Sequence, residues 1–426
     1  MNVLLLGSGG RENAIAWIIK KSKSLTKLFI APGNYGTSLI GENVNLNIAN
    51  FENIKDFIIN KNIKLLIVGP EQPIVNGIYD YLRPAFKSEE LIIISPSKTG
   101  GQLEGSKKFA KEFMKRYNIP NAKYKTFNKE TIDDAKNYLN SLNPPYVLKA
   151  DGLAAGKGVV IAKNLSEAHE ALHKMLIVNQ FGSASKTVLI EEFLDGIELS
   201  VFILTNGKDY KLLPVAKDYK RIGEGDTGLN TGGMGSVSPP PFIDSILMKK
   251  IEEKIIKPTI FGLKKENINY TGFIFFGLIN VPGGPKVIEY NVRLGDPETQ
   301  SVLPRIKSDF LDLLISTSNE QEFKNAKIEK DNFTCISTIL ASNGYPEKYS
   351  TGFQIEGLDK ISKETTLFHA GTTKKNGKVL TNGGRVLAIT SFGENLTQAK
   401  EKNIEELAKI SFKGMTYRSD IGFDLK

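Results

Sequence analysis

Residues 285–300 read PKVIEYNVRLGDPETQ and combine a strand pattern with side chains that bind metals and phosphates. Successive side chains of a strand point to opposite faces, so Glu289, Asn291 and Arg293 are predicted to share one face. Glu and Asn oxygens are hard ligands that suit Mg²⁺, and Arg293 can hold a carboxylate or phosphate through paired hydrogen bonds. The stretch therefore predicts a Mg-nucleotide site, and these three residues alone leave an exposed edge-strand face open as the alternative.

The sequence on both sides of this strand favours the metal site. The apolar run 271–279 precedes the strand across Pro282-Gly283-Gly284-Pro285, a turn-rich connection typical of a hairpin. Gly295-Asp296-Pro297-Glu298 follows the strand, and we expect this loop to bring two further carboxylates close to the metal-binding face.

The N-terminus begins with the fully apolar run 3–6, typical of a central strand in a parallel sheet, and continues into GSGGRE at 7–12. A strand, a glycine turn and a helix N-terminus together present backbone N–H groups to phosphate. Glu12 replaces the third glycine of a dinucleotide fingerprint, and no acidic residue follows the second strand, so a lone phosphate is favoured over NAD. Further apolar runs at 65–68 and 91–94 predict a small doubly wound α/β domain.

The middle of the chain alternates strands with glycine-rich loops. Strand 146–149 ends at Lys149, and GLAAGKG at 152–158 separates it from strand 159–162. The loop lacks the spacing and the Ser or Thr of a Walker motif, so it is interpreted as a mobile cover over nucleotide phosphates that pair with Lys149. A glycine-rich loop of about twenty residues at 217–235 favours a substrate loop, since loops of that length are usually functional or disordered.

His169-Glu170-Ala171-Leu172-His173 is a literal H-E-x-x-H, the arrangement by which a helix of a zinc peptidase binds its metal. His369 is the only other histidine, and no nearby glutamate helix supplies a third ligand. An amphipathic helix with two surface histidines is therefore favoured, and a zinc peptidase stays as an alternative.

Composition narrows the function class further. A length of 426 residues predicts three or four domains. The net charge of +9 is spread along a lysine-rich sequence without a basic block, which leaves a nucleic-acid-binding protein as a second alternative. The single cysteine, Cys335, excludes an intrachain disulfide framework. No signal peptide and no apolar run approaching about 18 residues is present, so a soluble cytoplasmic protein is expected.

Motifs along the whole chain resemble the ATP-grasp superfamily and, within it, the family of phosphoribosylamine–glycine ligases, also called glycinamide ribonucleotide synthetases. They are GSGGRE, GPEQPIV, QLEGSK, VLKADGLAAGKGV, IEEFLDGIELS, KDYKRIGEGDTGLNTGGMG, YTGF, KVIEYNVRLGDPETQ, HAGT, GGRVL and YRSDIG. The resemblance implies an α/β multidomain ATP-grasp ligase with an N-terminal doubly wound parallel-sheet domain at 1–120, a lid domain at 121–192, a central domain at 193–328 and a small C-terminal α+β domain at 329–426.

The resemblance also implies an activity. It is the ATP-dependent ligation of glycine to 5-phosphoribosylamine in de novo purine (IMP) biosynthesis, giving ADP and phosphate through a glycyl phosphate. ATP and Mg²⁺ or Mn²⁺ are the implied cofactors. The implied partners are small-molecule substrates only, without nucleic acid or membrane, for a cytoplasmic monomer. An ATP-grasp ligase with another acid or amine is the nearest alternative within the class.

Site residues follow from the same resemblance, motif by motif. The nucleotide is assigned to Lys107, Lys149, Gly156, Lys157, Gly158, Glu191, Glu192, Phe193, Leu194 and Glu198, and the metal to Glu289 and Asn291. The substrates are assigned to Gly9, Gly10, Asn13, Glu71, Asp218, Lys220, Arg293, Gly295 and Asp296, with Arg293, Asp218 and Lys149 as catalytic residues. Two positions depart from the family pattern: His is usual where Asn13 stands, and 270–279 lacks the carboxylate that many ATP-grasp enzymes place on that strand.

Overall fold

The computed structural model describes residues 1–154 and 158–425 and begins with a parallel sheet in the order β3-β2-β1-β4-β5. Its strands are β1 (Asn2–Gly7), β2 (Lys27–Pro32), β3 (Glu42–Asn43), β4 (Ile63–Val68) and β5 (Ile92–Ile94). Its helices are α1 (Gly10–Ile19), α2 (Tyr35–Ser38), α3 (Phe51–Asn60), α4 (Glu71–Asn76), α5 (Ile78–Leu82), α6 (Lys98–Gly105) and α7 (Lys107–Arg116). Residues 3–6 of β1 are fully buried, as a strand covered on both faces requires. The predicted parallel-sheet domain is confirmed.

A second, antiparallel sheet follows in the order β6-β9-β7-β8. It consists of β6 (Tyr124–Phe127), β7 (Tyr146–Ala150), β8 (Val159–Ala162) and β9 (Val188–Glu191), with α8 (Ile132–Asn140) and α9 (Leu165–Leu176). Leu148 and Ile190 of the sheet pack with Leu172 of α9 in a core of their own. This layer therefore does not share its core with the neighbouring sheets.

A third sheet, also antiparallel, carries the stretch on which the sequence analysis began. Its order is β11-β10-β14-β15, formed by β10 (Ile197–Thr205), β11 (Tyr210–Leu212), β14 (Gly272–Val281) and β15 (Gly284–Asn291). The helices α10 (Ser245–Ile251) and α11 (Lys257–Lys265) pack beside it. Phe276 and Leu278 of β14 share a core with Leu4 and Leu66 of the parallel sheet, so the third sheet is fixed to the N-terminal domain.

The C-terminal region completes a fourth sheet in the order β12-β13-β16-β20-β17, with β21 paired to β16. Its strands are β12 (Lys217–Gly223), β13 (Thr227–Ser238), β16 (Thr334–Ser342), β17 (Thr366–His369), β20 (Arg385–Gly393) and β21 (Met415–Thr416), and β18 (Thr372–Lys375) pairs with β19 (Lys378–Thr381). Its helices are α12 (Glu298–Val302), α13 (Phe310–Ser316), α14 (Glu320–Asn325) and α15 (Leu396–Leu407). Two strands from the middle of the chain thus join the C-terminal sheet.

Two sequence-based expectations are wrong in detail. Residues 217–235 do not form a long loop, because β12 and β13 pair as an antiparallel hairpin and β13 pairs with β16. Arg293 does not lie on the strand of Glu289, because β15 ends at Asn291 and the Val292 N–H donates to the Glu104 carboxylate at 2.8 Å instead of to β14. The predicted hairpin between β14 and β15 is confirmed. No helix within the described residues has the length and apolar character needed to cross a membrane.

Candidate active site

A cleft of about 1070 Å³ opens where the parallel sheet, the second sheet, β15 and the β12–β13 hairpin meet. The sequence-predicted residues that line it are Glu71, Lys107, Lys149, Gly158, Glu191, Glu192, Phe193, Leu194, Glu198, Asp218, Lys220, Glu289, Asn291, Arg293, Gly295 and Asp296. They come from segments far apart in sequence. The fold therefore brings most of the predicted site into one place.

The strand β15 presents Glu289 and Asn291 to this cleft. Its pairing with β14 shifts by one residue between Gly277 and Leu278, so the extra residue Ile288 turns the end of the strand relative to its start. Tyr290, between the two polar residues, points into the core, where its hydroxyl lies 3.0 Å from the Thr259 hydroxyl. Because Tyr290 is held in the core, Glu289 and Asn291 are directed into the cleft.

Glu289 and Asn291 have oxygens that fit a hard divalent cation. The Glu289 carboxylate forms no ion pair within 4.0 Å and no hydrogen bond to any residue in 1–154 or 158–425. The Asn291 side-chain N–H donates to the Tyr290 carbonyl at 2.9 Å, which leaves the amide oxygen for a ligand. A carboxylate and an amide oxygen without protein partners are a donor set suited to Mg²⁺ or Mn²⁺.

A group of acidic and basic side chains faces Glu289 from neighbouring strands. The Lys220 ammonium lies 2.8 Å from Glu198 and 3.8 Å from Asp218. Burial raises the pKa of Asp218, and Glu198 adds to the rise while Lys220 opposes it. Burial alone would lower the pKa of Lys220, but Asp218, Glu198 and Glu289 raise it well above its usual range. Lys220 is therefore a fixed positive charge, whereas Asp218 holds its proton more readily than an ordinary carboxyl group.

Glu298, at the start of α12, is a buried carboxyl group on the wall of the cleft. Its side chain accepts a 3.5 Å hydrogen bond from the Ser200 hydroxyl. A Cβ atom on Gly295 would lie 2.4 Å from Glu298 Oε2, so the absence of a side chain at Gly295 makes room for this carboxyl group. Burial and the neighbouring Asp218 raise the pKa of Glu298 to about 8.

Replacing Glu298 with Gln is expected to flatten the dependence of stability on pH. A carboxyl group whose pKa rises on folding keeps its proton in the folded state while the unfolded chain loses it, so the free energy of unfolding falls as pH increases from about 4.5 to about 8. Gln cannot lose a proton, so the melting temperature of the variant relative to that of the wild type should increase as pH rises through that window. Thermal unfolding at several pH values tests this, with Glu322→Gln, an exposed change, as the control. Parallel curves for wild type and Glu298→Gln would contradict it.

Another part of the cleft contains a buried pair of lysines joined by one glutamate. Glu191 lies 3.0 Å from the Lys149 ammonium and 3.3 Å from that of Lys111. Burial lowers the pKa of Lys111 to about 8. Burial would raise the pKa of Glu191, but the two lysines outweigh it and lower that pKa. Lys107 donates to the Gly152 carbonyl at 3.3 Å. The ammonium groups of Lys107, Lys111 and Lys149 thus make this part of the cleft, called below the lysine-rich end, positively charged.

The remaining predicted nucleotide residues form the adjoining wall. Glu192 accepts hydrogen bonds from the Lys123 N–H at 3.0 Å and from Lys286 at 3.1 Å. Phe193 is exposed and Leu194 half-buried, so both offer apolar surface to a planar base. The Gly158 carbonyl accepts a hydrogen bond from the Ala150 N–H at 2.8 Å. Gly156 and Lys157 lie outside the described residues.

Arg293 is held by two carboxylates from the parallel-sheet domain. Its Nη2 donates to Glu104 at 2.8 Å, and its Nε lies 3.5 Å from Glu71. Burial raises the pKa of Glu104, although the positive charge of Arg293 acts to lower it. Burial would also raise the pKa of Glu71, but Arg293 and Arg11 lower it. The buried Nε of Arg293 makes no hydrogen bond within the described residues and faces the Glu71 carboxylate.

Asp296 joins the N-terminal and C-terminal regions at the cleft. Its carboxylate lies 3.3 Å from Arg385 and accepts hydrogen bonds from the Arg11 backbone N–H at 3.4 Å and from Gln300 at 2.8 Å. Burial would raise the pKa of Asp296, but Arg385 and Arg11 lower it. A Cβ atom on Gly10 would lie 2.4 Å from Gln300 Nε2, so Gly10 makes room for the residue that holds Asp296.

Three predicted substrate residues do not line the cleft. The Gly9 N–H donates to the Glu12 carboxylate at 2.7 Å, so a side chain takes one of the N–H groups that were predicted to bind phosphate. Gly10 is covered by Gln300. Asn13 is 2% exposed, and its amide oxygen accepts a hydrogen bond from the His369 N–H at 2.7 Å. Asn13 thus connects α1 to β17, away from the cleft surface.

Only part of the H-E-x-x-H motif lies at the surface of α9: His169 is half-buried with its Nε2 enclosed, and Ala171 and Leu172 belong to the core. His173 is exposed, and Glu170 forms an ion pair with Lys174 at 2.6 Å. Neither histidine lines the cleft. Among the described residues, no cluster of three or more His, Cys, Asp or Glu side chains has the geometry of a metal site.

Sequence reasoning assigned no role to three charged residues that line the cleft and contact predicted site residues: Glu104, Lys111 and Arg385. Glu104 and Lys111 lie in helical patterns, in which a charged residue is expected on the exposed face. Lys111 is 2% exposed, however, and its ammonium also donates to the Ala122 carbonyl at 3.3 Å. The motifs QLEGSK and GGRVL contain Glu104 and Arg385, but no sequence pattern indicates their partners Arg293 and Asp296.

Comparisons with known proteins match the whole chain. Models of phosphoribosylglycinamide synthetase match as the N domain at 1–104, the ATP-grasp (A) domain at 105–299 and the C domain at 335–424. Phosphoribosylamine–glycine ligase of Caldanaerobacter subterraneus is 44% identical, with 99% of each chain covered. The ligase of Haemophilus influenzae is also 44% identical, over 99% of this chain and 98% of the relative.

Solved structures give the same result. The crystal structure of phosphoribosylamine–glycine ligase from Thermotoga maritima superimposes with a TM-score of 0.84 at 35% identity, covering 99% of this chain and 100% of the other. The biotin carboxylase domain of Hydrogenobacter thermophilus 2-oxoglutarate carboxylase has a TM-score of 0.71 at 15% identity, covering 97% and 91%. The second likeness concerns the fold alone, and the family models together with the Thermotoga maritima structure confirm the predicted ATP-grasp architecture.

Proposed function

The chain belongs to the phosphoribosylamine–glycine ligase family, and from this premise we propose how its cleft divides the reaction among its residues. The protein is an ADP-forming carbon–nitrogen ligase that joins glycine to 5-phosphoribosylamine in purine biosynthesis. The observation that carries the division of roles is the single cleft in which Lys149, Glu289 and Asp218 converge from three sheets.

The reaction needs an activated glycine, because a carboxylate resists attack by an amine. We propose that a glycine carboxylate oxygen attacks the γ-phosphorus of ATP and that the bond from this phosphorus to the bridging oxygen breaks, releasing ADP. The ribosylamine nitrogen then attacks the carbonyl carbon of glycyl phosphate, and the carbon–oxygen bond to phosphate breaks. No side-chain nucleophile is needed, since phosphoryl transfer depends on positioning and charge stabilisation.

The nucleotide is proposed to bind at the lysine-rich end of the cleft. Lys107 and Lys149 would contact its phosphates, and Glu191 would orient Lys149 through their 3.0 Å ion pair. The backbone of Glu191 to Leu194 would bind the adenine, and Glu198 the ribose hydroxyl groups. Gly156, Lys157 and Gly158 are proposed to cover the phosphates, by resemblance to the family.

The metal is proposed to bind to Glu289 and Asn291. Their oxygens, which have no partner in residues 1–154 or 158–425, provide the support for this assignment. Bound Mg²⁺ or Mn²⁺ would offset negative charge on the phosphate groups. The chain's own contribution is to hold the two oxygens rigidly in the cleft through the buried Tyr290 between them.

The substrates are proposed to occupy the end of the cleft between Asp218 and Arg293. Arg293, which lines the cleft, would donate from its guanidinium to a carboxylate or phosphate oxygen. Asp218, whose pKa burial raises, would accept the proton that the attacking amine loses. Lys220 and the loop of Gly295 and Asp296 would orient the substrates, and Glu71 would fix Arg293. Gly9, Gly10 and Asn13 are retained as proposed residues near the ribose phosphate, on the family resemblance alone.

We also propose that the enzyme acts as a cytoplasmic monomer on small molecules, with neither nucleic acid nor membrane as a partner. The lone Cys335 is buried, which suits a reducing compartment. The division into domains at 1–120, 121–192, 193–328 and 329–426 stays a proposal.

An assay of ADP formation tests the activity. Purified protein is incubated with ATP, Mg²⁺, glycine and 5-phosphoribosylamine, and each component is omitted in turn. Full ADP release should require all four, and the product should carry one glycyl group per ADP. Equal ADP release with another amino acid or amine would assign the cleft to a different ligase of the same superfamily.

A further inference from the structure

The strand β12 has a second contact surface, formed by the residues that alternate with Asp218 and Lys220. Lys217 and Tyr219 occupy these alternate positions, and both contact the C-terminal segment Arg418–Asp424. The segment follows β21, almost 200 residues after β12, and none of its residues was predicted to take part in the reaction. The segment Arg418–Asp424 therefore contacts the strand that carries two proposed substrate residues, Asp218 and Lys220.

Asp424 holds the start of β12 through two different groups. One carboxylate oxygen lies 3.0 Å from the Lys217 ammonium, and the other accepts a 2.7 Å hydrogen bond from the Tyr219 hydroxyl. Lys217 is 6% exposed and Tyr219 is fully buried. A charge-assisted pair and a buried hydrogen bond thus fix the residues on both sides of Asp218.

Arg418 holds the far end of the hairpin. Its side chain is completely buried, and its guanidinium donates to Asp420 at 2.8 and 2.9 Å, to Asp226 at 2.5 Å and to the Arg221 carbonyl at 3.3 Å. The same group lies 5.3 Å from the centre of the Tyr219 ring. A buried guanidinium with this many partners has one orientation, so it ties the turn after β12 to the C-terminal segment.

Backbone pairing alone specifies the position of β12 poorly. The strand lies at the edge of its sheet, and its pairing with β13 shifts between Tyr219 and Arg221 and again between Arg221 and Gly223. The facing strand β13 is rich in glycine, and the register of such strands is weakly determined. The side-chain contacts to Arg418–Asp424 therefore fix the position of β12, which its backbone pairing with β13 determines only weakly.

We propose that the segment Arg418–Asp424 is a positioning element that sets the placement of Asp218 and Lys220 toward the substrates. The inference rests on the proposed function, because Asp218 and Lys220 matter to catalysis only if the cleft binds glycine and the ribosylamine. Arg418 does not line the cleft, and Asp424 lines it with its two carboxylate oxygens held by Lys217 and Tyr219, so both residues are placed to act through the strand.

Asp424→Asn tests this positioning role. The change removes the charge that Lys217 faces but retains an oxygen for the Tyr219 hydroxyl. Asp331→Asn is the matched control, since the Asp331 side chain is 31% exposed, against 33% for Asp424, and forms an ion pair with Lys307 at 3.1 Å outside the cleft. Tyr219→Phe, which removes only the hydroxyl contact to Asp424, serves as a second variant.

We expect kcat/KM for glycine to fall by about 10- to 100-fold in Asp424→Asn, since small displacements of groups that position a substrate have effects of that size. The KM for ATP should stay within about twofold of wild type, and the melting temperature should match that of Asp331→Asn. Tyr219→Phe should also lower kcat/KM for glycine, by a smaller factor, and should leave the KM for ATP within about twofold of wild type.

Two results would overturn the proposal. The first is wild-type kcat/KM for glycine in both Asp424→Asn and Tyr219→Phe. The second is an equal loss of kcat/KM for glycine and ATP together with a lower melting temperature, which would show a general structural role. Failure of the wild-type protein to ligate glycine would instead reject the proposed function, so the two failures are distinguishable.

Discussion

Replacing Glu289 with Gln is expected to lower kcat by roughly 10²- to 10³-fold, the usual cost of losing one preorganised electrostatic group at a reaction centre. The carboxylate has no ion partner among the described residues, so its charge is available to a cation rather than committed to the fold. Gln has nearly the same shape and keeps an oxygen but loses the charge that attracts a hard divalent ion. Stability should change little, because no ion pair or hydrogen bond within the described residues is lost.

The measurement is initial velocity against Mg²⁺ and Mn²⁺ concentration, with the melting temperature recorded in parallel. Glu266→Gln is the matched control, because it makes the same chemical change at a carboxylate that pairs with Arg116 at 2.7 Å outside the cleft. Glu289→Gln should need more metal and remain slow at saturation, while Glu266→Gln should behave as wild type. Wild-type kcat at low Mg²⁺ would remove Glu289 from the metal site.

The features that sequence predicted correctly are those that short segments encode by themselves. The apolar run 3–6 specifies a strand buried on both faces, and the turn at 282–285 specifies the hairpin of β14 and β15. Glu289 and Asn291 stand two apart at the end of one strand, so alternation alone directs both toward the cleft. Each prediction depends on neighbours in the sequence and not on the rest of the fold.

The features that sequence missed depend on partners far along the chain. The end of β15 cannot be predicted from the sequence NVRLG. The Val292 N–H donates to the carboxylate of Glu104, 188 positions earlier, and not to the neighbouring strand. The hairpin of β12 and β13 has the composition of a loop and becomes a sheet edge only because β13 pairs with β16. Strand propensity is weak for glycine-rich segments, so the tertiary partner decides their structure.

The same reasoning applies to charge in the cleft. Lys111 belongs to the polar pattern of α7, yet the fold buries it against Glu191, 80 positions later in the sequence. Glu298 follows a proline in a loop-like motif, yet burial beside Asp218 raises its pKa to about 8. Residue type and spacing can identify which groups bind a ligand. They cannot give the desolvation and neighbouring charges that set protonation, because these come from several sheets at once.

The largest mechanistic effect is expected from isotope transfer, which should be all or none. With glycine labelled by ¹⁸O in its carboxylate, one labelled oxygen should appear in inorganic phosphate for each ADP formed, and no AMP should be made. That oxygen becomes the bridge between glycine and phosphorus and leaves with phosphate when the amine attacks. If glycine were adenylated instead, the label would appear in AMP.

The arrangement of charge favours the first route. Lys149, Lys107, Glu289 and Asp218 all line the cleft, and the charge of Glu289 acts on both Lys107 and Asp218. Positive groups on the phosphate side and a buried carboxyl group on the amine side suit transfer of a terminal phosphoryl group followed by attack of an amine. Mass spectrometry of phosphate, ADP and AMP gives the answer. Unlabelled glycine in H₂¹⁸O is the control for direct hydrolysis of ATP. Label in AMP, or label entering phosphate only from solvent, would reject glycyl phosphate as the intermediate and, with it, the proposed role of Lys149.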